Sequence, residues 1–87
     1  MEARQLLAWN VRKIRVEREL SQERLALDAG IDRAYYGRVE RAEENLSLAT
    51  VDTLARALQL PIAALFRMPE PDEEMPKTLK AGRKRKK

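Results

Sequence analysis

Charged side chains carry almost all of the chemistry available to this sequence of 87 residues, because it contains no Cys and no His. Without thiols and imidazoles, disulfide scaffolds, Cys/His zinc sites, cysteine nucleophiles and the Ser-His-Asp triad are excluded. The sequence also lacks carboxylates paired for acid–base catalysis, a glycine-rich phosphate loop and metal-ligand spacing. We therefore expect a protein that is not an enzyme and that uses no metal and no cofactor.

Two arginines near the middle of the chain, Arg33 and Arg38, lie about one turn apart in a predicted helix. A guanidinium group can bind guanine O6 and N7 through two parallel hydrogen bonds. A solvated surface position is nevertheless the commoner fate of an arginine. The arrangement of the helices around these side chains therefore determines which of the two interpretations applies.

The net charge of +4 is distributed unevenly along the chain. Residues 1–69 carry a net charge of +1, the acidic stretch 70–76 carries −4, and the basic stretch 77–87 carries +7. Three prolines and few large apolar residues follow Met68, so this end cannot bury enough apolar surface to offset its ordering entropy. We predict a folded domain over 1–68 and a flexible tail over 69–87. The basic stretch is typical either of a DNA-binding arm, which acts through counterion release, or of a solubilising end.

No apolar run approaches the roughly 20 residues that a membrane span requires, and no apolar signal-peptide segment follows Met1. We expect a soluble, cytoplasmic protein that does not bind a membrane. Its length fits one small domain.

The spacing of apolar residues predicts an all-α domain, because no stretch alternates long enough to indicate a strand. Five short helices are predicted, over about 3–19, 22–29, 33–41, 48–59 and 62–66. The predicted N-caps are Ser21, Asp32 and Ser47. In the fourth helix the residues predicted to face the core are Leu48, Val51, Leu54, Ala55 and Leu58.

The second and third helices are joined by Gly30-Ile31-Asp32. Glycine ends helices readily in the left-handed conformation. Two helices joined by a turn of three or four residues that contains Gly form a helix-turn-helix.

Four motifs in sequence order closely resemble the Cro/C1-type (XRE) family of helix-turn-helix DNA-binding proteins. They are Ser21-Gln22-Glu23-Arg24-Leu25-Ala26, Ala29-Gly30-Ile31-Asp32-Arg33, Val39-Glu40-Arg41 and Asn45-Leu46-Ser47-Leu48. The resemblance covers about residues 7–66 and is greatest to the controller proteins of restriction–modification systems. It implies a compact five-helix, lambda-repressor-like domain that binds double-stranded DNA and regulates transcription, as a homodimer on an inverted repeat. We expect no small-molecule effector.

The resemblance also implies roles for individual residues. Helix 33–41 would enter the major groove, with four residues facing the bases: Arg33, Ala34, Tyr35 and Arg38. Phosphate contacts are implied for Gln22, Arg41 and Asn45. Arg15 and Glu40 match family positions that commonly pair between the first and third helices. A dimer face is expected from Leu46, Ile62, Leu65 and Phe66, which alternatively seal the core of the monomer.

Some residues depart from the family pattern. Glu19, Ala42 and Gln59 occupy positions where the family commonly has Gly, so the helix ends there must close without the usual left-handed glycine. Glu43 and Glu44 lie where the family often carries basic residues that face phosphates, and carboxylates there oppose DNA binding unless they point away.

Trp9 and Val16 lie on the side of the first helix opposite its predicted core face. Trp9 is interpreted as a single exposed aromatic residue, as one that Met75 and Leu79 of the tail cover, or as part of a contact with a partner protein. Glu43, Glu44 and the Trp9/Val16 face therefore support an alternative function, that of a protein-interaction module such as an antitoxin.

Overall fold

The computed structural model describes residues 1–77 and shows four α-helices followed by a short 3₁₀ helix. The helices are α1 (Ala3–Glu17), α2 (Gln22–Ala29), α3 (Arg33–Glu40) and α4 (Leu48–Leu58). The prediction of an all-α fold is confirmed, and residues 1–77 contain no strand. The predicted fifth α-helix is a 3₁₀ helix over Ile62–Phe66, in which the amide of Ala64 bonds to the carbonyl of Pro61 three residues earlier.

Side-chain caps set the first residue of α2, α3 and α4. Ser21 Oγ accepts a hydrogen bond from the amide of Arg24, and Asp32 Oδ2 accepts one from the amide of Tyr35, each at 2.9 Å. Ser47 Oγ accepts from the amide of Thr50 at 3.0 Å. All three predicted N-caps are confirmed, and they satisfy amides that a helix start leaves without partners.

The helix-turn-helix corner forms as the sequence indicates. Gly30 ends α2 with a φ of 71°, and its amide bonds to the carbonyl of Leu27. This left-handed turn directs the chain through Ile31 into the cap of α3, which sets the angle between the two helices.

Three other residues occupy the left-handed region without being glycine. They are Glu19, Ala42 and Gln59, with φ values of 59°, 60° and 58°. The helix ends therefore keep the left-handed conformation that Gly favours, and each side chain bears the strain of its Cβ.

The core lies between the four α-helices and the 3₁₀ helix. Its largest fully buried side chains are Tyr36, Leu25, Leu54, Leu58, Leu65, Val11 and Val39. The prediction that Leu48 faces this core is wrong, because 84% of its surface is exposed. Leu48 is the first residue of α4, and a face that is buried one turn later need not meet a neighbouring element at the helix end.

The segment after the 3₁₀ helix is held against α1. Asn10, a buried residue of α1, donates from Nδ2 to the carbonyls of Leu65 at 3.1 Å and Arg67 at 2.8 Å. The Glu73 carboxylate then lies 3.1 Å from Lys13 Nζ and 2.7 Å from Arg67 Nη2. The first residues of the predicted flexible tail are thus tied to the domain by polar contacts.

These contacts also alter the interpretation of Trp9 and Val16. Val16 is buried, with 5% of its surface exposed. Trp9 borders a cavity of about 330 Å³ that Pro69, Pro71 and Glu73 also line. Trp9 therefore faces the 69–73 segment. Leu79 and the basic residues from Lys80 onward lie outside the described residues.

Within residues 1–77, none of the helices has the length and apolar composition needed to cross a membrane.

Candidate nucleic-acid interface

The exposed side of α3 presents the residues predicted to contact bases. Tyr36 and Val39 bury the opposite side of the helix in the core. Arg33 and Ala34 are exposed, whereas Tyr35 and Arg38 are half-buried. The first turn of α3 therefore carries a guanidinium group and a methyl group on the surface, beside the left-handed turn at the end of α2.

Arg38 is engaged by a neighbour in the loop that follows α3. Its Nε lies 2.6 Å from Glu44 Oε2, and its guanidinium carbon lies 5.8 Å from the centroid of the Tyr35 ring. The hydrogen bond that Arg38 donates to Glu44 raises the pKa of Arg38. Arg38 is therefore a charged donor that is already paired within the protein.

Arg41 and Asn45, the two predicted phosphate contacts near the end of α3, also have partners within the protein. Arg41 Nε lies 3.2 Å from Glu43 Oε1. Asn45 accepts a hydrogen bond from Arg4 Nη1 at 3.2 Å, which links the loop to the start of α1. Both Arg41 and Asn45 are exposed, so these contacts are open to competition from solvent.

A buried polar cluster fixes α3 to the rest of the domain. Arg15 Nε lies 2.5 Å from Glu40 Oε2, and Arg15 Nη2 lies 3.1 Å from Glu40 Oε1. Gln22 Nε2 donates to the same carboxylate at 2.9 Å, and the Tyr36 hydroxyl donates to it as well. Three helices thus meet at one carboxylate, with Arg15 also donating to the carbonyl of Leu20 at 2.8 Å.

The groups of this cluster shift one another's pKa values. Burial acts to raise the pKa of Glu40, but hydrogen bonds from Arg15, Tyr36 and Gln22 outweigh it and lower that pKa. Burial, together with the charge of Glu40, raises the pKa of Tyr36 well above its usual range. Glu40 is therefore ionised and Tyr36 remains a neutral donor at neutral pH.

A small cavity lies beside the cluster, at the start of α2. Its volume is about 250 Å³, and it is lined by Arg12, Arg15, Gln22, Glu40 and Arg41. The Arg41 side chain lies beside Gly37, where an added Cβ would be 3.4 Å from Arg41 Nη1. The cavity brings three guanidinium groups together with only one carboxylate, which Arg15 already pairs.

Comparison with known proteins assigns the chain to a family. The helix-turn-helix family model HTH_3 matches residues 11–65, which extend from α1 to the 3₁₀ helix. The chain belongs to the Cro/C1-type helix-turn-helix family. It is 45% identical to the control protein C.SmaI of Serratia marcescens over 66 residues, which are 76% of this chain and 79% of that protein.

Solved structures of helix-turn-helix proteins share the fold. The hypothetical transcription factor NHTF from Neisseria superimposes with a TM-score of 0.75 at 38% identity, covering 78% of each chain. The restriction–modification controller protein C.AhdI from Aeromonas hydrophila gives a TM-score of 0.70 at 40% identity, covering 72% of this chain and 96% of that one.

In this helix-turn-helix protein, the residues predicted for a dimer face differ in exposure. Ile62 is 47% exposed, whereas Leu46 and Phe66 are partly buried against the core. Leu65 is fully buried, so it seals the monomer core and has no surface left for a second subunit.

Sequence reasoning did not find Arg12 or the contact between Gln22 and Glu40. Arg12 sits on α1, outside the helix-turn-helix, and the packing of α1 against α3 brings it to the cavity. The spacing of Tyr36 and Glu40, four residues apart on one helix, was the available signal for their contact.

Proposed function

We propose that this helix-turn-helix regulator reads DNA by inserting α3 into the major groove, with Arg33, Ala34, Tyr35 and Arg38 facing base edges. The observation that carries the proposal is the exposed first turn of α3 on a helix whose opposite side is locked in the core. An arginine there can bind guanine through two hydrogen bonds, and Ala34 offers a methyl group to thymine.

The cavity at the start of α2 supplies a phosphate contact. The first amides of a helix have no partner within it and favour an anion. Gln22 is the first residue of α2, and Arg12 and Arg41 line the same cavity. The Gln22 side chain already donates to Glu40, so we assign the phosphate chiefly to the two arginines and to the backbone of Gln22.

The protein acts as a homodimer on an inverted repeat. A recognition helix of eight residues meets few base pairs, and two copies on half-sites about 34 Å apart double the contacts made. Ile62 is the large exposed apolar residue of the 3₁₀ helix, and Phe66 and Leu46 contribute their partly exposed edges.

The regulated genes belong to a restriction–modification system. The support for this narrower role is the similarity to the control protein C.SmaI and to the controller protein C.AhdI. The antitoxin alternative loses its support, because Val16 is buried and Glu43 and Glu44 turn toward arginines of the protein itself.

The test is selection of DNA from a random duplex library, followed by binding titrations with the enriched sequence and a scrambled duplex. We expect an enriched inverted repeat bound by two chains per site, as measured by sedimentation. If no sequence is enriched, and the two duplexes bind equally at each salt concentration, the proposal is wrong.

A further inference from the structure

Glu44 is placed against the recognition helix by the backbone. After α3, Ala42 adopts the left-handed conformation, and the amide of Glu43 bonds to the carbonyl of Arg38 at 2.9 Å. This turn brings the next residue back alongside α3. The Glu44 carboxylate consequently reaches Arg38 Nε at 2.6 Å, although the two residues are six positions apart.

The contact holds Arg38 in one place over a second side chain. The guanidinium group lies between Glu44 and the face of Tyr35. The pair is partly exposed, with 42% of the Arg38 side chain and 27% of the Glu44 side chain accessible. Water and DNA can therefore reach the pair, and exchange of one acceptor for another requires no unfolding.

A carboxylate that already occupies an arginine competes with any other acceptor. A phosphate also offers two oxygens to a guanidinium group, but its approach places a second negative charge beside the Glu44 carboxylate. A guanine offers two acceptors at the separation that a guanidinium group requires, and it carries no net charge that would repel Glu44. Exchange of the Glu44 carboxylate for a guanine is therefore favourable for Arg38, whereas exchange for a backbone phosphate is unfavourable.

We propose that Glu44 is a specificity-determining residue, which occupies Arg38 in the free protein so that Arg38 is released to a guanine but not to phosphates of unrelated DNA. This inference rests on the proposed function, in that α3 must face the major groove. It assigns an acidic loop residue a positive role in recognition, although its charge lowers the affinity for DNA in general.

Glu43 supplies a matched control. It also is a glutamate of the same loop that pairs with an arginine, but its partner Arg41 faces the phosphate cavity. Glu43→Gln and Glu44→Gln remove the same charge from adjacent positions. Removal at 43 should strengthen binding to every duplex equally, whereas removal at 44 should strengthen binding to unrelated DNA most.

The experiment measures dissociation constants of the full chain for the enriched duplex and a scrambled duplex at several salt concentrations. Relative to Glu43→Gln, we expect Glu44→Gln to bind the scrambled duplex roughly threefold more tightly, which matches a surface ion pair. Its discrimination between duplexes should fall by the same factor. Its salt dependence on scrambled DNA should steepen by about 0.9 in the logarithmic slope, as for one added phosphate contact.

A double variant separates this mechanism from simple repulsion. In an Arg38→Ala background, Glu44→Gln should no longer reduce discrimination, because no arginine is left to release. If its effect persists there, or equals that of Glu43→Gln, the inference is overturned while the proposed function stands. If the unaltered protein does not distinguish the two duplexes, both are wrong. Thermal unfolding of each variant verifies that the fold is kept.

Discussion

Arg15 of α1 and Glu40 of α3 form a bidentate ion pair whose side chains are 7% and 4% exposed. Since Gln22 of α2 donates to the same carboxylate, the pair connects all three helices that flank the predicted DNA surface. The orientation of α3 thus depends on Glu40 binding to Arg15, a residue 25 positions earlier in the sequence.

Arg15→Ala should destabilise the domain by about 3 kcal/mol, because it leaves the Glu40 charge buried without its main partner. Chemical denaturation measures the loss. Arg56→Ala, which truncates an exposed arginine of α4, is the control and should change the free energy of unfolding by less than about 0.5 kcal/mol. A loss equal to that of the control would contradict a structural role for the pair.

The sequence was sufficient to predict the helices and their caps, because both depend on local signals such as the side chains of Ser21, Asp32 and Ser47. The sequence was not sufficient to predict the contacts that depend on packing between distant elements. The contacts of Gln22 with Glu40 and of Arg38 with Glu44 depend on how α2 packs and how the loop after α3 turns. The 69–73 segment reads as tail by composition, yet Asn10 and Lys13 of α1 hold it and the residues before it.

The contact of Glu73 with α1 should depend on its charge. Hydrogen bonds from Arg67, from the amide of Glu70 and from Lys13 lower the pKa of Glu73 to about 2. Its contribution to stability is therefore complete above the usual pKa of a glutamate and is lost as the pH falls through about 2. At neutral pH, Glu73→Gln should mimic this loss and alter the fluorescence of Trp9, the single tryptophan. Glu74→Gln removes the charge of an exposed neighbouring glutamate that does not line this cavity, so it should leave the emission unchanged. Equal spectra for all three proteins would refute the contact between this segment and α1.

Ala42→Gly should stabilise the protein by roughly 1 kcal/mol, because Ala42 has a φ of 60° and glycine removes the Cβ strain of the left-handed conformation. Ala49→Gly is the control, for which a change in stability of the opposite sign is expected. Ala49 lies in α4 with ordinary helical geometry, so glycine there should destabilise the protein by up to about 1 kcal/mol. Thermal unfolding compares the two, and a loss of stability at both positions would argue against strain at Ala42.

Ile62→Asp should weaken the proposed dimer, because it places a charge in the apolar patch beside Phe66. Sedimentation equilibrium should show a shift toward monomer, with weaker binding to the inverted repeat. Leu27→Asp alters another exposed apolar residue, located on α2, and should leave the association unchanged. If the Ile62 variant keeps the association constant of the unaltered protein, the dimer face lies elsewhere.

Arg33 and Arg12 should affect DNA binding in different ways. Arg33→Ala should cost about 1–3 kcal/mol on the enriched duplex and little on a scrambled one, since a base contact is lost. Arg12→Ala should weaken binding to both duplexes equally and reduce the logarithmic salt slope by about 0.9, since a phosphate contact is lost. Binding titrations over a range of salt concentrations distinguish the two outcomes. If both variants changed affinity uniformly, Arg33 would contact the backbone and the bases would be read by other residues of α3.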